Sequence, residues 1–174
     1  MNKISTQNIY LRPITLDDTE LIVKWRNTQY VQENFIFRNT LTPQMHKKWM
    51  STKVAKGEVV QYIICEPDNN PIGSVYYRDI DRLEKSAEFG IFIGESSALG
   101  KGYGKEAISL FVQYGFNSMG LRKIFLRVLD SNKRAKHLYE KVGFKTSYEE
   151  KETIYPSGEE VNVIFMEINE KSLL

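Results

Sequence analysis

Cysteine is almost absent from this chain. Cys65 is the only one among 174 residues, which excludes an internal disulfide framework. Histidine is nearly as scarce, and with only His46 and His137 the usual Cys/His zinc sites are excluded too, so no metal is expected. Cys65 itself sits in the apolar run Val-Val-Gln-Tyr-Ile-Ile-Cys, the setting of a buried structural thiol rather than a nucleophile. Surplus charge is also missing. The balance of 24 basic and 22 acidic residues, a net +2, argues against a domain-wide basic face and hence against a nucleic-acid partner. No stretch approaches the ~20 apolar residues of a membrane span. The polar start Met1-Asn2-Lys3-Ile4-Ser5-Thr6-Gln7 lacks the apolar core of a signal peptide, so a cytoplasmic protein without a membrane partner is expected. With 5 Pro, 11 Gly, no internal repeat and no linker, residues 1–174 read as a single globular domain.

The pattern that is present alternates between strand and helix periods. Residues 8–13 read as a strand. Thr15 then looks like a helix N-cap, with Asp17 and Asp18 in the first turn and Leu21, Ile22 and Trp25 on one face. After an irregular stretch over 31–39, Thr42-Pro43 starts a second helix that runs to about Lys56 and stops at Gly57. Residues 59–66 and 72–79 form a hairpin about a Pro/Asn/Asp turn, and 87–94 is a further strand. From Tyr103 the period becomes helical, with Ile108, Phe111, Val112, Gly115 and Met119 on one face and Gly120 as the stop. Residues 123–129 are strand-like, 131–142 helical with Gly143 closing, and 144–153 and 161–168 are two last strands. The order predicts a mixed α/β sheet with helices on its faces.

The segment Leu99-Gly100-Lys101-Gly102-Tyr103-Gly104-Lys105 lies between a strand and a long helix. There glycines let the backbone approach a ligand, and free N–H groups at the helix start point at an anion, most often a phosphate. A Walker A loop would need Gly at 99 and Ser or Thr at 106, where this chain has Leu99 and Glu106; a dinucleotide fingerprint would need Gly at 105, where it has Lys105. A plain structural turn is the competing reading.

This segment resembles the Gln/Arg-x-x-Gly-x-Gly/Ala loop of the acetyl-CoA-dependent N-acetyltransferases of the GNAT superfamily, falling on Leu99, Gly102 and Gly104. A second family signature, Asn-x-x-Ala-x-x-Leu-Tyr-Glu-Lys-x-Gly-Phe, fits Asn132, Ala135, Leu138, Tyr139, Glu140, Lys141, Gly143 and Phe144. Both occur in the right order, and the resemblance covers nearly the whole chain. It implies a GNAT fold: a mixed, mostly antiparallel sheet of about seven strands with about four helices and splayed central strands. It also implies acetyl-CoA as cosubstrate. Residues 99–105 would hold the pyrophosphate, with Leu99 departing from the usual Gln or Arg and leaving that task to backbone N–H groups and to Lys101 and Lys105. Backbone groups of Phe92, Ile93 and Gly94 would bond the pantetheine arm and thioester, and Asn132 and Ala135 would contact the arm. Tyr139 would be the general acid for the departing thiolate, its competing reading being a core aromatic beside Leu138 and Val142. Glu88 would be the base for the amine; its competing reading is a salt-bridged carboxylate near Arg82 or Lys85. His46 and His137 are alternative bases in principle.

In this family the first two helices and the last hairpin border the acceptor, and here their charges oppose: 24–56 carries a net +6, whereas 143–174 carries three lysines and seven glutamates, a net −4. The basic flank suits an acceptor with phosphate, such as a nucleotide-linked amino sugar; the acidic one suits a polyamine or a basic peptide N-terminus. Solvated helix and edge-strand faces would explain both equally. Trp25-Arg26-Asn27 followed by His46 and Trp49 is similar to the branch acetylating amino sugars on nucleotide carriers, which points to Trp25, Arg26, Glu33 and His46 as acceptor residues. Spermidine and ribosomal-protein N-terminal acetyltransferases share the same core motifs. The expected partner is a small-molecule amine, with a homodimer allowed; a CoA-binding module without catalysis is the alternative of another class.

Overall fold

The computed structural model describes residues 4–173, so Met1, Asn2 and Lys3 of the polar start lie outside the described residues. Two short strands, β1 (Ile4–Ser5) and β2 (Tyr10–Pro13), come first. The chain turns at Thr15, whose backbone N–H donates to the Asp18 carboxylate at 2.8 Å, while the Arg12 guanidinium donates to both oxygens of the same group at 2.6 and 2.9 Å. Asp18 therefore does more than favour the positive end of a helix. It is buried and ties α1 (Thr19–Arg26) to β2. Burial by itself would raise this carboxyl, but Arg12 and Thr15 outweigh it and hold it below the ordinary range.

The stretch expected to be irregular contains one helical turn, α2 (Gln29–Gln32). α3 (Pro43–Trp49) begins as Thr42-Pro43 predicts, with the Met45 N–H donating to the Thr42 hydroxyl at 3.2 Å. Its α-helical bonding ends at Trp49, a wider turn over Met50–Val54 continues it, and Gly57 at φ +69° reverses the chain. Then follow β3 (Val60–Cys65), β4 (Pro71–Asp81), β5 (Ser86–Ile93), α4 (Tyr103–Asn117), β6 (Lys123–Leu129), α5 (Lys133–Val142), β7 (Lys145–Thr153) and β8 (Glu160–Asn169). The sheet order is β1-β2-β3-β4-β5-β6-β8-β7, and β5–β6 is its parallel pair. The expectation of seven strands and four helices falls short by β1 and α2, which at two and four residues are too brief for a periodic signal.

The feature that positions the site is where pairing stops. β5 and β6 pair from Ser86↔Lys123 to Glu88↔Phe125 and no further, although β5 continues to Ile93 and β6 to Leu129. Beyond Glu88 each strand stays bonded to its other neighbour, β5 to β4 as far as Ile93 and β6 to β8 as far as Leu129. The central strands are thus splayed, as the resemblance implied. Alternation sends Phe89, Ile91 and Ile93 toward α4 and α5, into a core with Phe111, Ile124 and Tyr139. It sends Glu88, Gly90 and Phe92 to the opposite face, where Phe92 packs with Trp25, Ile22 and Met50 beneath α1 and α3. Among the described residues no helix is long and apolar enough to cross a membrane.

Candidate active site

The divergence of β5 from β6 opens a cleft of about 1060 Å³, at the upper end of the size of small-molecule sites. One end is walled by the glycine loop: Leu99, Gly100, Gly102, Tyr103, Gly104 and Lys105 all line it. Gly100 and Gly102 stand at φ +78° and +86°, and a Cβ at either would meet nothing within 4 Å, so their need for glycine is conformational rather than steric. Gly102 caps α4 with no side chain over the helix start, leaving the first-turn N–H groups to a ligand. Lys101 departs from expectation. Its ammonium turns to Glu66 at 3.7 Å and does not line the cleft, so Lys105 is the loop lysine that faces it.

Asn132 and Ala135 line the cleft from α5, but the Asn132 side-chain oxygen accepts the Ala135 N–H at 3.2 Å as the helix cap. Only its amide N–H groups remain for a ligand. Arg134 and Leu138 share this wall and were not anticipated, although the i, i+4 spacing places them on one helix face.

On β5 the expected backbone contacts shift. The Gly94 N–H donates to the Ile72 carbonyl at 2.8 Å and the Gly94 carbonyl accepts from the Tyr30 hydroxyl, so both groups are used within the protein. A Cβ at Gly94 would lie 2.1 Å from the Trp25 ring, so this glycine is there to admit tryptophan, not a cosubstrate. With Gly73 opposite Ile93, that Gly94–Ile72 bond fixes the alternation. Phe92 directs its backbone groups to Ser74 of β4, and Ile91 and Ile93 direct theirs to the edge that β6 has left. Of the expected strand positions, Ile93 has its backbone groups on the free edge, as does Ile91, whereas those of Phe92 and Gly94 are turned to β4 and its neighbours.

Tyr139 lies across the same opening. It is buried, packs edge-on against Phe89 and Phe144 with ring centroids 6.2 and 5.7 Å away, and lines the cleft. It is therefore a core aromatic that also lines the cleft. Burial, with a smaller contribution from Tyr76, raises its phenol above the ordinary value, so it stays protonated.

Glu88 also lines the cleft, but as the centre of an ion-pair knot. Arg78 donates to its two oxygens at 3.0 and 2.9 Å and Arg127 donates to Oε1 at 3.0 Å, Arg127 in turn reaching Glu152 at 3.1 Å. Burial would raise this carboxyl, yet the two guanidiniums outweigh it and hold it below the ordinary range. A carboxylate so held accepts a proton poorly, which favours the salt-bridged reading over that of a base. Arg78 and Arg127 replace Arg82 and Lys85 as the foreseen partners. A cation amid the apolar strand Lys-Ile-Phe-Leu-Arg-Val-Leu was the signal in the sequence that a buried carboxylate had to be near.

On the α1–α3 side Trp25 is fully buried and its indole N–H donates to Glu95 at 2.7 Å; it packs the core and does not line the cleft, contrary to expectation. Arg26, Glu33 and His46 do line it, Glu33 as an exposed rim residue. His46 is buried, its Nδ1 3.1 Å from the Thr19 hydroxyl, whose own proton goes to the Leu16 carbonyl at 2.7 Å. Thr19 must then accept, which assigns the imidazole proton to Nδ1 and leaves Nε2 a bare, buried acceptor. Burial lowers the imidazole below its ordinary value and keeps it neutral at pH 7. Arg26 lays its guanidinium over the Phe35 ring, 3.4 Å from the centroid.

The sequence profile described as an acetyltransferase (GNAT) domain matches residues 8–145. An uncharacterized protein of Methanocaldococcus jannaschii is 32% identical over 151 residues, 84% of this chain; the chain spans only about 30% of that longer protein. A spermidine N(1)-acetyltransferase of Escherichia coli strain K12 is 26% identical over 162 residues, 93% of this chain and 86% of that protein. Among solved structures, spermidine N-acetyltransferase from Vibrio cholerae in complex with CoA and spermine superposes with a TM-score of 0.90 at 24% identity, covering 97% of this chain and 100% of that one, a likeness of fold.

Proposed function

The chain belongs to the GNAT acetyltransferase family, and on that premise we propose that its cleft brings acetyl-CoA and a small-molecule primary amine together for direct acetyl transfer. The observation that carries this reading is the split between β5 and β6, with the glycine loop at one end and Tyr139 across it. Acetyl-CoA supplies the activated thioester. The first-turn N–H groups of α4 and Lys105 suit its pyrophosphate, and the unpaired edge of β5 at Ile91 and Ile93 suits the amide-bearing arm. Tyr139, protonated at neutral pH, is positioned to give its proton to the departing sulfur. Glu88 holds Arg78 and Arg127 in place, and the attacking amine loses its proton to water or solvent-borne base.

For the acceptor, the basic flank over 24–56 supports the nucleotide-linked amino sugar favoured by the sequence, and the relatives favour spermidine, the second reading. A cytoplasmic setting and a homodimer belong to the same proposal. The test is release of free thiol from acetyl-CoA over a panel of spermidine, nucleotide-linked amino sugars and short peptides. Amine-dependent release is expected; CoA binding without release on any amine would leave a binding module instead.

A further inference from the structure

The acceptor side of the cleft carries one cation without a counter-charge. Arg78 and Arg127 share Glu88, and Arg127 also has Glu152. Arg26 forms no hydrogen bond or ion pair among the described residues, and its Nη1 is buried without a partner. Beside it stand the Tyr76 phenol and another cation, Arg78. A desolvated guanidinium left like this is costly, and the cost is recovered when an anion fills the place. Phe35 fixes the plane of the guanidinium, so its fork of donors is held ready for a two-pronged acceptor.

CoA phosphates do not answer this need. Their place is the glycine loop and the start of α4, which packs on the opposite sheet face from α1 and Phe35. The neighbours of Arg26 are Tyr76 and Arg78 of β4, opposite Gly90 and Glu88, where the two strands begin to part. Whatever meets Arg26 therefore belongs to the molecule presenting the amine. We propose that Arg26 is the anchor for an oxyanion, carboxylate or phosphate, carried by the acceptor, so that this cleft selects amines bearing an anion over polyamines. This inference rests on the acetyltransferase reading above. A polyamine brings only cations to the buried Arg26, the lining carboxylate Glu33 standing exposed at the rim, whereas an anionic amine supplies the missing partner. The same guanidinium favours the neutral, nucleophilic form of a nearby amine by opposing its protonation.

The test uses matched acceptors with the 174-residue chain. Lysine and cadaverine differ by a carboxylate, and glucosamine 6-phosphate and glucosamine by a phosphate; spermidine is the polyamine arm. The oxyanion member of at least one pair is expected to show kcat/KM at least tenfold above its partner and above spermidine, and the pair that responds identifies the anion. Arg26→Gln should collapse that ratio through KM, and Arg26→Lys should restore part of it, a pattern that loss of packing against Phe35 would not give. In parallel, calorimetry of CoA-saturated protein, with the pyrophosphate place filled, titrates inorganic phosphate and acetate; binding at least tenfold weaker in Arg26→Gln is expected. Equal rates within both pairs, or spermidine preferred, or no anion binding to the CoA-saturated protein, overturns the anchor while leaving acetyl transfer intact. Arg26-dependent anion binding with no thiol released on any amine keeps the anchor and removes the acetyltransferase reading.

Discussion

Burial raises the Tyr139 phenol, which keeps it protonated but makes it a weaker proton donor, so its part in protonating the departing sulfur rests on position at the mouth of the split. Replacing it with phenylalanine keeps the packing against Phe89 and Phe144 and removes only the donor. Tyr139→Phe should therefore bind CoA as before by calorimetry and lose roughly 100-fold in kcat at saturating acetyl-CoA, the usual scale for one general acid; unchanged turnover would end the assignment. Glu88 should behave in the opposite way. Glu88→Gln takes from Arg78 its close carboxylate and leaves Arg127 with Glu152 alone, a change worth ~3–5 kcal/mol for a fully buried pair and here about 2 kcal/mol, since Arg78 and Arg127 are 34% and 29% exposed. Urea unfolding measures it. A Glu88→Gln protein of normal stability whose turnover and acid limb of the pH profile had both vanished would restore the base. The motif around Tyr139 was legible because its spacing is fixed along the chain, whereas the partners of Glu88 lie on two other strands, with Glu152 behind Arg127 on a third, and follow from register alone.

Among the elements, β5 and the loop after it carry the site together. Gly102 sits at φ +86°, a conformation that β-branched residues avoid, at the start of the helix whose N–H groups face the cleft. Gly102→Val is expected to abolish CoA binding by calorimetry while the circular dichroism spectrum stays native, because a Cβ there meets no neighbour. Normal binding would remove the loop from the site. The alternation of β5 side chains was readable from the sequence and is confirmed by the two cores. Its backbone was not: which N–H and C=O groups face β4 depends on the Gly73↔Ile93 register and the Gly94–Ile72 bond, and that register leaves the free edge at Ile91 and Ile93 rather than at Phe92 and Gly94. Trp25 was misplaced for a similar reason, since the gap that receives it is made by Gly94, far away in sequence.

At the scale of the whole molecule the cleft is shared by two halves, α1–α3 on one sheet face and α4–α5 on the other. A ligand spanning both stabilises the folded state by mass action. CoA at 100 times its dissociation constant should add about 2.7 kcal/mol, a rise of some 5–10 °C in Tm for a chain this long, readable by thermal shift; no rise would contradict a preformed cleft. The opposed charges of 24–56 and 143–174 also meet in space. Phe37 stacks on Tyr155 at 5.0 Å, and Arg38 and Ile36 exchange backbone hydrogen bonds with Tyr155 at 2.7 and 3.0 Å. Part of each charge is spent on partners outside its segment, as in Lys53–Glu58 and Arg127–Glu152, so segment totals overstate what the acceptor would feel. The sequence by itself determined the mixed α/β fold, the order of its main elements and the place of the glycine loop between a strand and a long helix, because periodicity, turn residues and short motifs are local properties of a chain. The tertiary structure alone decided that Glu88 is bound by two arginines, that Trp25 is core, and that Arg26 stands unpaired beside Phe35. Pairing, burial and their absence depend on which distant residues the sheet brings to one place, and no local pattern encodes that.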